Sequence, residues 1–241
     1  GPFARWFLGV HAARLRRIER RLWVDVDGVA AITAELADVC VAEGARPVRY
    51  VPVPQDVSEV PAPLNHNLFH LGPLDWWPNR LGLAWFLDVV WPLVRQRHPA
   101  LEFRVAGRGS KKFVRRRKAF GAHADGEVED AADYMRRGGI LVAPTLHGSG
   151  MPVKVAQAMS LGKAIVATSV GARGLGAVAG RDLLIADSAP EFAAAICRLV
   201  EDSGLAAATG RAAWTFASEN FGSPSVGKGI LELYHSARKS R

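Results

Sequence analysis

The chain is poor in sulfur. Cysteine occurs twice in 241 residues, at Cys40 and Cys197. Neither has a Cys or His neighbour at metal-ligand spacing, which argues against a zinc site. Each lies in an apolar, helical-looking stretch that suits a small buried side chain, and such usage fits a reducing compartment. Long apolar runs are missing too. None approaches the ~20 residues needed to span a bilayer, and no apolar stretch near the start ends in a small-residue cleavage pattern, so no signal peptide is expected. Acidic charge is in deficit: 31 Lys and Arg face 23 Asp and Glu, a net charge of +8. That balance favours anionic partners, namely nucleotides, phospholipid headgroups or nucleic acid. Aromatic residues hardly interleave the basic cluster Lys111, Lys112, Arg115, Arg116, Arg117 and Lys118, with Phe113 alone inside it. Base stacking needs a series of them, so nucleic acid is the weakest of the three. A solvated face is the default reading of this cluster, and an anionic membrane or lipid-phosphate contact is the sharper one.

Apolar residues make up 49% of the chain, enough for a substantial core. Residues 3–23 have helical periodicity, with Phe3, Trp6, Phe7, Val10, Leu15, Ile18 and Leu22 at helical spacing and arginines on other faces. The periodicity predicts a surface helix packing its apolar stripe on a domain, with an interfacial helix on an acidic membrane as the alternative. Residues 28–33 predict a short strand, 34–43 a helix and 49–52 a strand. Four prolines between Pro52 and Pro63 exclude a helix there and predict an extended linker and a domain boundary. Beyond it the pattern alternates. Strands are expected at 67–71, 101–106, 140–143, 164–169 and 183–186. Helices are expected at 80–97 with a kink at Pro92, at 130–137, 151–161 and 190–201, and then near 205–220 and 225–239. Residues 111–118 predict a short basic helix or loop. Repeated β-α-β units imply a parallel sheet covered on both faces.

The segment from Ile140 to Leu175 is the most informative. It predicts a buried strand, a Gly148-Ser149-Gly150 turn, a helix closed by Gly162, and a second buried strand. Bare backbone amides at a helix N-terminus hold phosphate, because several N–H groups are unpaired and the helix dipole is positive there. Lys154, expected one turn into that helix, adds a full charge. The residues alone therefore predict a phosphate or nucleotide site in an α/β domain.

The phrases LFHLGPLDWWPN (68–79), LEFRVAGRG (101–109), the long run from Val128 to Leu175 and DLLIAD (182–187) occur in that order. Together they resemble the C-terminal, donor-binding half of the retaining GT-B glycosyltransferases of family four. The resemblance implies a Rossmann-like parallel sheet with helices on both faces, plus a remnant of a second Rossmann-like domain. It implies an N-terminal acceptor-domain remnant at 1–62, a nucleotide-sugar-binding domain at 63–204 and crossover helices at 205–241. It further implies transfer of a hexosyl group with retention from a nucleotide-diphosphate sugar to an acceptor sugar or lipid-linked sugar, as in polysaccharide or glycolipid synthesis. No metal or other cofactor is expected, and the isolated chain is expected to be inactive. The location implied is cytoplasmic, with a peripheral contact on the inner, anionic membrane face.

Residue by residue, the resemblance places Gly72 where backbone approaches the donor phosphate, and Gly148, Ser149 and Gly150 in the turn whose amides meet the pyrophosphate. Lys154 matches the lysine that neutralises the leaving nucleotide. Arg108 follows a strand and is placed to reach a phosphate, against the alternative of a solvent-facing arginine. Gln157 stands where the family has a ribose-binding Glu. Three departures count against tight donor binding. Pro73 replaces a Ser, Pro152 replaces an Arg, and Gln157 lacks the charge that strengthens a hydrogen bond. A non-catalytic remnant serving as a nucleotide-binding or scaffold module is the alternative reading. Asp25-Val26-Asp27 spells D-x-D, a metal motif of the other glycosyltransferase fold, and is read here as the end of a helix. His147 is read as a loop residue beside the phosphate rather than part of a nucleophilic triad.

Overall fold

In the computed structural model, residues 2–61, 65 and 67–239 are described. The boundary expected between residues 62 and 63 lies outside them. By internal contacts the chain divides into Gly1–Val53 with Pro224–Arg241, and Pro54–Ser223. The division thus falls early in the proline-rich stretch, and of the last two helices it assigns only the closing one to the smaller unit.

In the smaller unit, α1 (Pro2–Asp25) leads to β1 (Val29–Ala31), α2 (Ala34–Ala42) and β2 (Val48–Tyr50). β1 and β2 pair in parallel, with Val29 opposite Val48. The first strand is shorter than predicted because Thr33 leaves it to cap α2, its hydroxyl accepting from the Leu36 amide at 3.1 Å. The apolar stripe of α1 does not pack as expected: Trp6, Phe7, Val10, Leu15, Ile18 and Leu22 are all exposed. Phe3 belongs to the same stripe, and its side chain lies outside the described ones. The helix is tied to α2 through Arg20 and Glu43, 2.6 Å apart.

The larger unit contains six parallel strands: β3 (Leu68–Leu71), β4 (Phe103–Ala106), β5 (Ala122–Gly126), β6 (Ile140–Ala143), β7 (Ala164–Ala167) and β8 (Leu184–Ile185). Their order is β5-β4-β3-β6-β7-β8. The chain enters at the sheet's centre, winds outward one way, returns and winds the other. The strand order therefore reverses between β3 and β6. In such open sheets ligands bind outside the carboxyl ends of the strands at that reversal. All four residues of β3, β6 and β7 are buried, as expected when both faces of a parallel sheet are covered. Leu68, Ile140, Val142, Ala164 and Val166 point into a core shared with Phe86, Trp91 and Phe192. The neighbouring Phe69 points the other way and meets Tyr134 edge-on at 6.2 Å.

The helices are α3 (Trp77–Trp85), α4 (Trp91–Arg97), α5 (Ser110–Arg117), α6 (Ala131–Arg137), α7 (Val153–Ser160), α8 (Ser169–Ala172), α9 (Ala189–Glu201) and α10 (Ser203–Asn220). A further helix, Ser223–Lys239, closes the chain. The expected kink at Pro92 takes the form of a π-turn, Phe86–Val90, joining α3 to α4. Proline has no N–H to give to the preceding turn. The helix widens just before it, and the Trp91 amide bonds the Phe86 carbonyl instead. α3 starts earlier than predicted because Pro78 suits a first helical turn. Strand β5 and the four-residue α8 were not expected. The β5 sequence AHADG has no apolar run, and pairing with β4 makes it a strand. Gly162 closes α7 at φ +71, as the sequence predicted.

Candidate functional site

The site is assembled where β3 and β6 end. Two glycines allow the backbone to close up there. A Cβ on Gly82 of α3 would lie 2.0 Å from the Pro144 carbonyl oxygen, so α3 seats directly on the end of β6. A Cβ on Gly107 would lie 2.2 Å from the Gly72 carbonyl oxygen, and its φ of +123 also favours glycine.

α7 begins at Val153, with Pro152 as its cap residue. Lys154 lies in the first turn rather than one turn further in, and reaches back to the end of β3. Its Nζ donates to Asn79 Oδ1 at 2.8 Å. A Cβ on Gly72 would stand 3.0 Å from that Nζ and 2.9 Å from Asn79 Nδ2. Asn79 Nδ2 in turn donates to the Pro73 carbonyl at 3.0 Å. Pro73 therefore lacks an N–H and a hydroxyl, yet its carbonyl fixes the asparagine that orients the lysine. No carboxylate pairs with Lys154 among the described residues. Burial of the ammonium lowers its pKa to about 8. A bound anion would reverse that penalty.

Two residues before Gly72, His70 is 1% exposed. Its Nδ1–H donates to the Val142 carbonyl at 2.9 Å, while Nε2 is buried without a partner among the described residues. Burial first, and then the charge of Lys154, lower its pKa to about 3, so the ring is neutral. The Val142 bond fixes the tautomer.

Gly148, Ser149 and Gly150 form the turn between β6 and α7, and Gly150 has φ +82. Among the described residues, the N–H groups of these three residues bond no protein acceptor. The turn is held from the side by His147, whose ring stacks on Trp77 of α3 at 5.4 Å and 27°. Unpaired amides, a helix start and a half-buried ammonium together suit an oxyanion. Gln157 follows Lys154 by three residues and shares its helix face.

Arg108 Nε pairs with Asp75 Oδ2 at 2.9 Å, and both side chains are exposed, so the pair is a weak surface one. Asp25 ends α1, as read from the sequence. Among the described residues, no group of three or more His, Cys, Asp or Glu could hold a metal ion. Sequence reasoning missed two members of the site. Asn79 stood inside the W-W-P-N phrase without a role, and a polar His70 in the otherwise apolar LFHL strand was the signal for a special environment. It also missed Lys163, which is wholly buried and donates to the Arg136 carbonyl at the end of α6 at 2.8 Å.

Comparison with known proteins places the chain in a family. A family model described as glycosyl transferases group 1 matches residues 65–202, more than half of the chain. The chain belongs to the glycosyl transferases group 1. This group 1 chain is 28% identical over 178 residues to a Klebsiella pneumoniae protein described as an uncharacterized 44.6 kDa protein in the cps region. The match covers 70% of this chain and 46% of that protein. Among solved structures, a mutant of S. aureus TarM in complex with fondaparinux, alpha-GlcNAc-glycerol and UDP superposes with a TM-score of 0.74 at 16% identity, covering 92% of this chain and 46% of the other. Anabaena HepE in complex with UDP gives a TM-score of 0.68 at 16% identity over 88% of this chain and 64% of the other. At such identities these structures show the shared fold. The chain spans about half the length of the first relatives it matches. No described helix is long and apolar enough to cross a membrane.

Proposed function

We propose that this chain carries the donor half of a retaining glycosyltransferase and binds a nucleotide-diphosphate sugar at the β3–β6 end of the sheet. The observation that carries the proposal is Lys154 Nζ, poised 2.8 Å from Asn79 Oδ1 beside Gly72, at the start of the helix that follows the open Gly148–Gly150 turn. In this reading the turn amides donate to the diphosphate and Lys154 neutralises the charge that grows on it as the sugar leaves. Catalysis is then mainly electrostatic. Gln157 receives the ribose hydroxyls through its carbonyl, and no divalent metal is needed. The acceptor is a sugar or lipid-linked sugar. The setting is cytoplasmic, at an anionic membrane face, in polysaccharide or glycolipid synthesis.

The test is calorimetric titration of the chain with UDP, GDP and ADP sugars. One of them binds saturably, and Lys154→Ala weakens it by about tenfold to a hundredfold, the worth of one charge-assisted bond of about 1.5–3 kcal/mol. Equal affinity of the variant overturns the assignment. The pairing of Arg108 with Asp75, together with Gln157, favours a second reading, a non-catalytic nucleotide-binding or scaffold module. As a scaffold with a decayed site, it predicts no donor binding until Gln157→Glu restores the acid.

A further inference from the structure

A second cationic feature lies on the other side of α3. Between α3 and α5 is a hollow of about 490 Å³, a volume within the range of small-ligand pockets. Trp77, Arg80, Leu81 and Ala84 of α3 line one wall at helical spacing. Lys112, Phe113, Arg116 and Arg117 of α5 line the other. Lys154, Gln157 and the Gly148–Gly150 turn do not border it, and of the expected donor residues only Arg108 does.

The charge in this hollow is not internally compensated. Two carboxylates are at hand, and each is already used. Asp75 holds Arg108 at 2.9 Å, and Asp88 holds Arg117 at 3.2 Å while that guanidinium lies 3.8 Å over the Phe113 ring. Arg80, Lys112 and Arg116 make no ion pair among the described residues. Lys111, Arg115 and Lys118 lie away from the hollow, on the solvated face the sequence allowed, whereas Lys112 and Arg116, one turn apart and exposed, converge with Arg80 from a different helix on one concave space. Bringing like charges together in a recess raises the local potential and favours an anion over bulk water. Three cations suit a dianion better than a single carboxylate, and guanidinium groups match the oxygen geometry of phosphate. Leu81, Phe113 and the Trp77 ring give the organic part of an ester an apolar surface.

We propose that the α3–α5 hollow is a second anion site, separate from Lys154, which takes a phosphate ester through Arg80, Lys112 and Arg116. The ester is either a soluble phosphorylated compound or a lipid headgroup. The inference goes beyond the donor-site reading and does not depend on it. Its wall is shared through Trp77, whose ring also stacks on His147 next to the Gly148–Gly150 turn.

The test uses the chain carrying Lys154→Ala, so that the donor end is weakened and the α3–α5 hollow is read by the change that its own cations make. Titrated with inorganic pyrophosphate in a calorimeter, this chain binds, and adding Arg80→Gln, Lys112→Gln and Arg116→Gln weakens binding at least about tenfold with the melting temperature unchanged. Absence of pyrophosphate binding to the Lys154→Ala chain, or equal affinity with and without the three glutamines, overturns the proposal. Flotation with vesicles of phosphatidylcholine alone and of equal parts phosphatidylcholine and phosphatidylglycerol identifies the source. If the glutamine exchanges also release the chain from the anionic vesicles, the ester is a lipid headgroup. If they abolish pyrophosphate binding and leave flotation unchanged, it is soluble. Nucleotide-sugar titration of the glutamine variant with Lys154 intact reports separately on the donor site.

Discussion

Gly72→Ala separates the site from the fold. The added methyl would stand 2.9 Å from Asn79 Nδ2 and 3.0 Å from Lys154 Nζ. Both atoms end flexible side chains, so each moves by a few tenths of an ångström rather than forcing the backbone. Gly72 does not occupy the left-handed region, so alanine adds no strain there. The cost to folding is therefore below about 1 kcal/mol, within the range of mild substitutions. The cost to the site is larger. The methyl displaces Lys154 from Asn79 Oδ1 and fills the space where a donor phosphate would meet the strand end. Losing part of a charge-assisted bond of about 1.5–3 kcal/mol weakens nucleotide-sugar binding by about tenfold or more. Thermal melting followed by circular dichroism, paired with calorimetric titration, measures both quantities on one sample. A large loss of melting temperature, or unchanged affinity at unchanged stability, refutes the reasoning.

Gly82→Ala has the opposite profile. Its methyl meets Pro144 backbone at 2.0 Å, so α3 must lift off β6. Denaturant titration is expected to show a loss of about 1–3 kcal/mol, the usual cost of overpacking, despite the better helix propensity of alanine. Donor affinity depends on pH through Lys154, whose pKa in the empty site is about 8. A bound diphosphate favours the protonated amine, so affinity is level well below pH 8 and falls as pH rises through it, by at most about tenfold per unit. Calorimetry across that window checks the slope. His70 stays neutral down to about pH 3 when folded, whereas an unfolded chain protonates it near its ordinary value of 6.5. The unfolded state binds more protons between those values, so His70 costs stability as pH falls from 6.5 towards 3. Acid unfolding of His70→Leu is expected to start at lower pH than that of the parent. Asp75→Asn releases Arg108 from its 2.9 Å pair, and titration is expected to show a several-fold gain in donor affinity if the guanidinium then reaches phosphate.

The sheet was legible in the sequence where strands are apolar throughout. ILVA and AIVA can only be buried on both faces, and β6 and β7 lie within the predicted spans. The edge strand β5 was not, because AHADG owes its extended form to hydrogen bonds with β4 rather than to its side chains. The Gly148–Gly150 turn and Lys154 were legible because turn chemistry and helix starts are local. Their partner was not: Asn79 lies 75 residues from Lys154, and only the crossover of α3 onto β6 brings them together. The ion-pair partner of Arg108 was not legible either: Asp75 lies 33 positions earlier and meets it only through the fold.

The most direct measurement is a crystal structure of the chain with a bound nucleotide-diphosphate sugar. The account predicts diphosphate oxygens within hydrogen-bond distance of Lys154 Nζ and of the Gly148–Gly150 amides, with the amine turned from Asn79 towards the phosphate. A diphosphate seated elsewhere, with Lys154 still on Asn79, would contradict it.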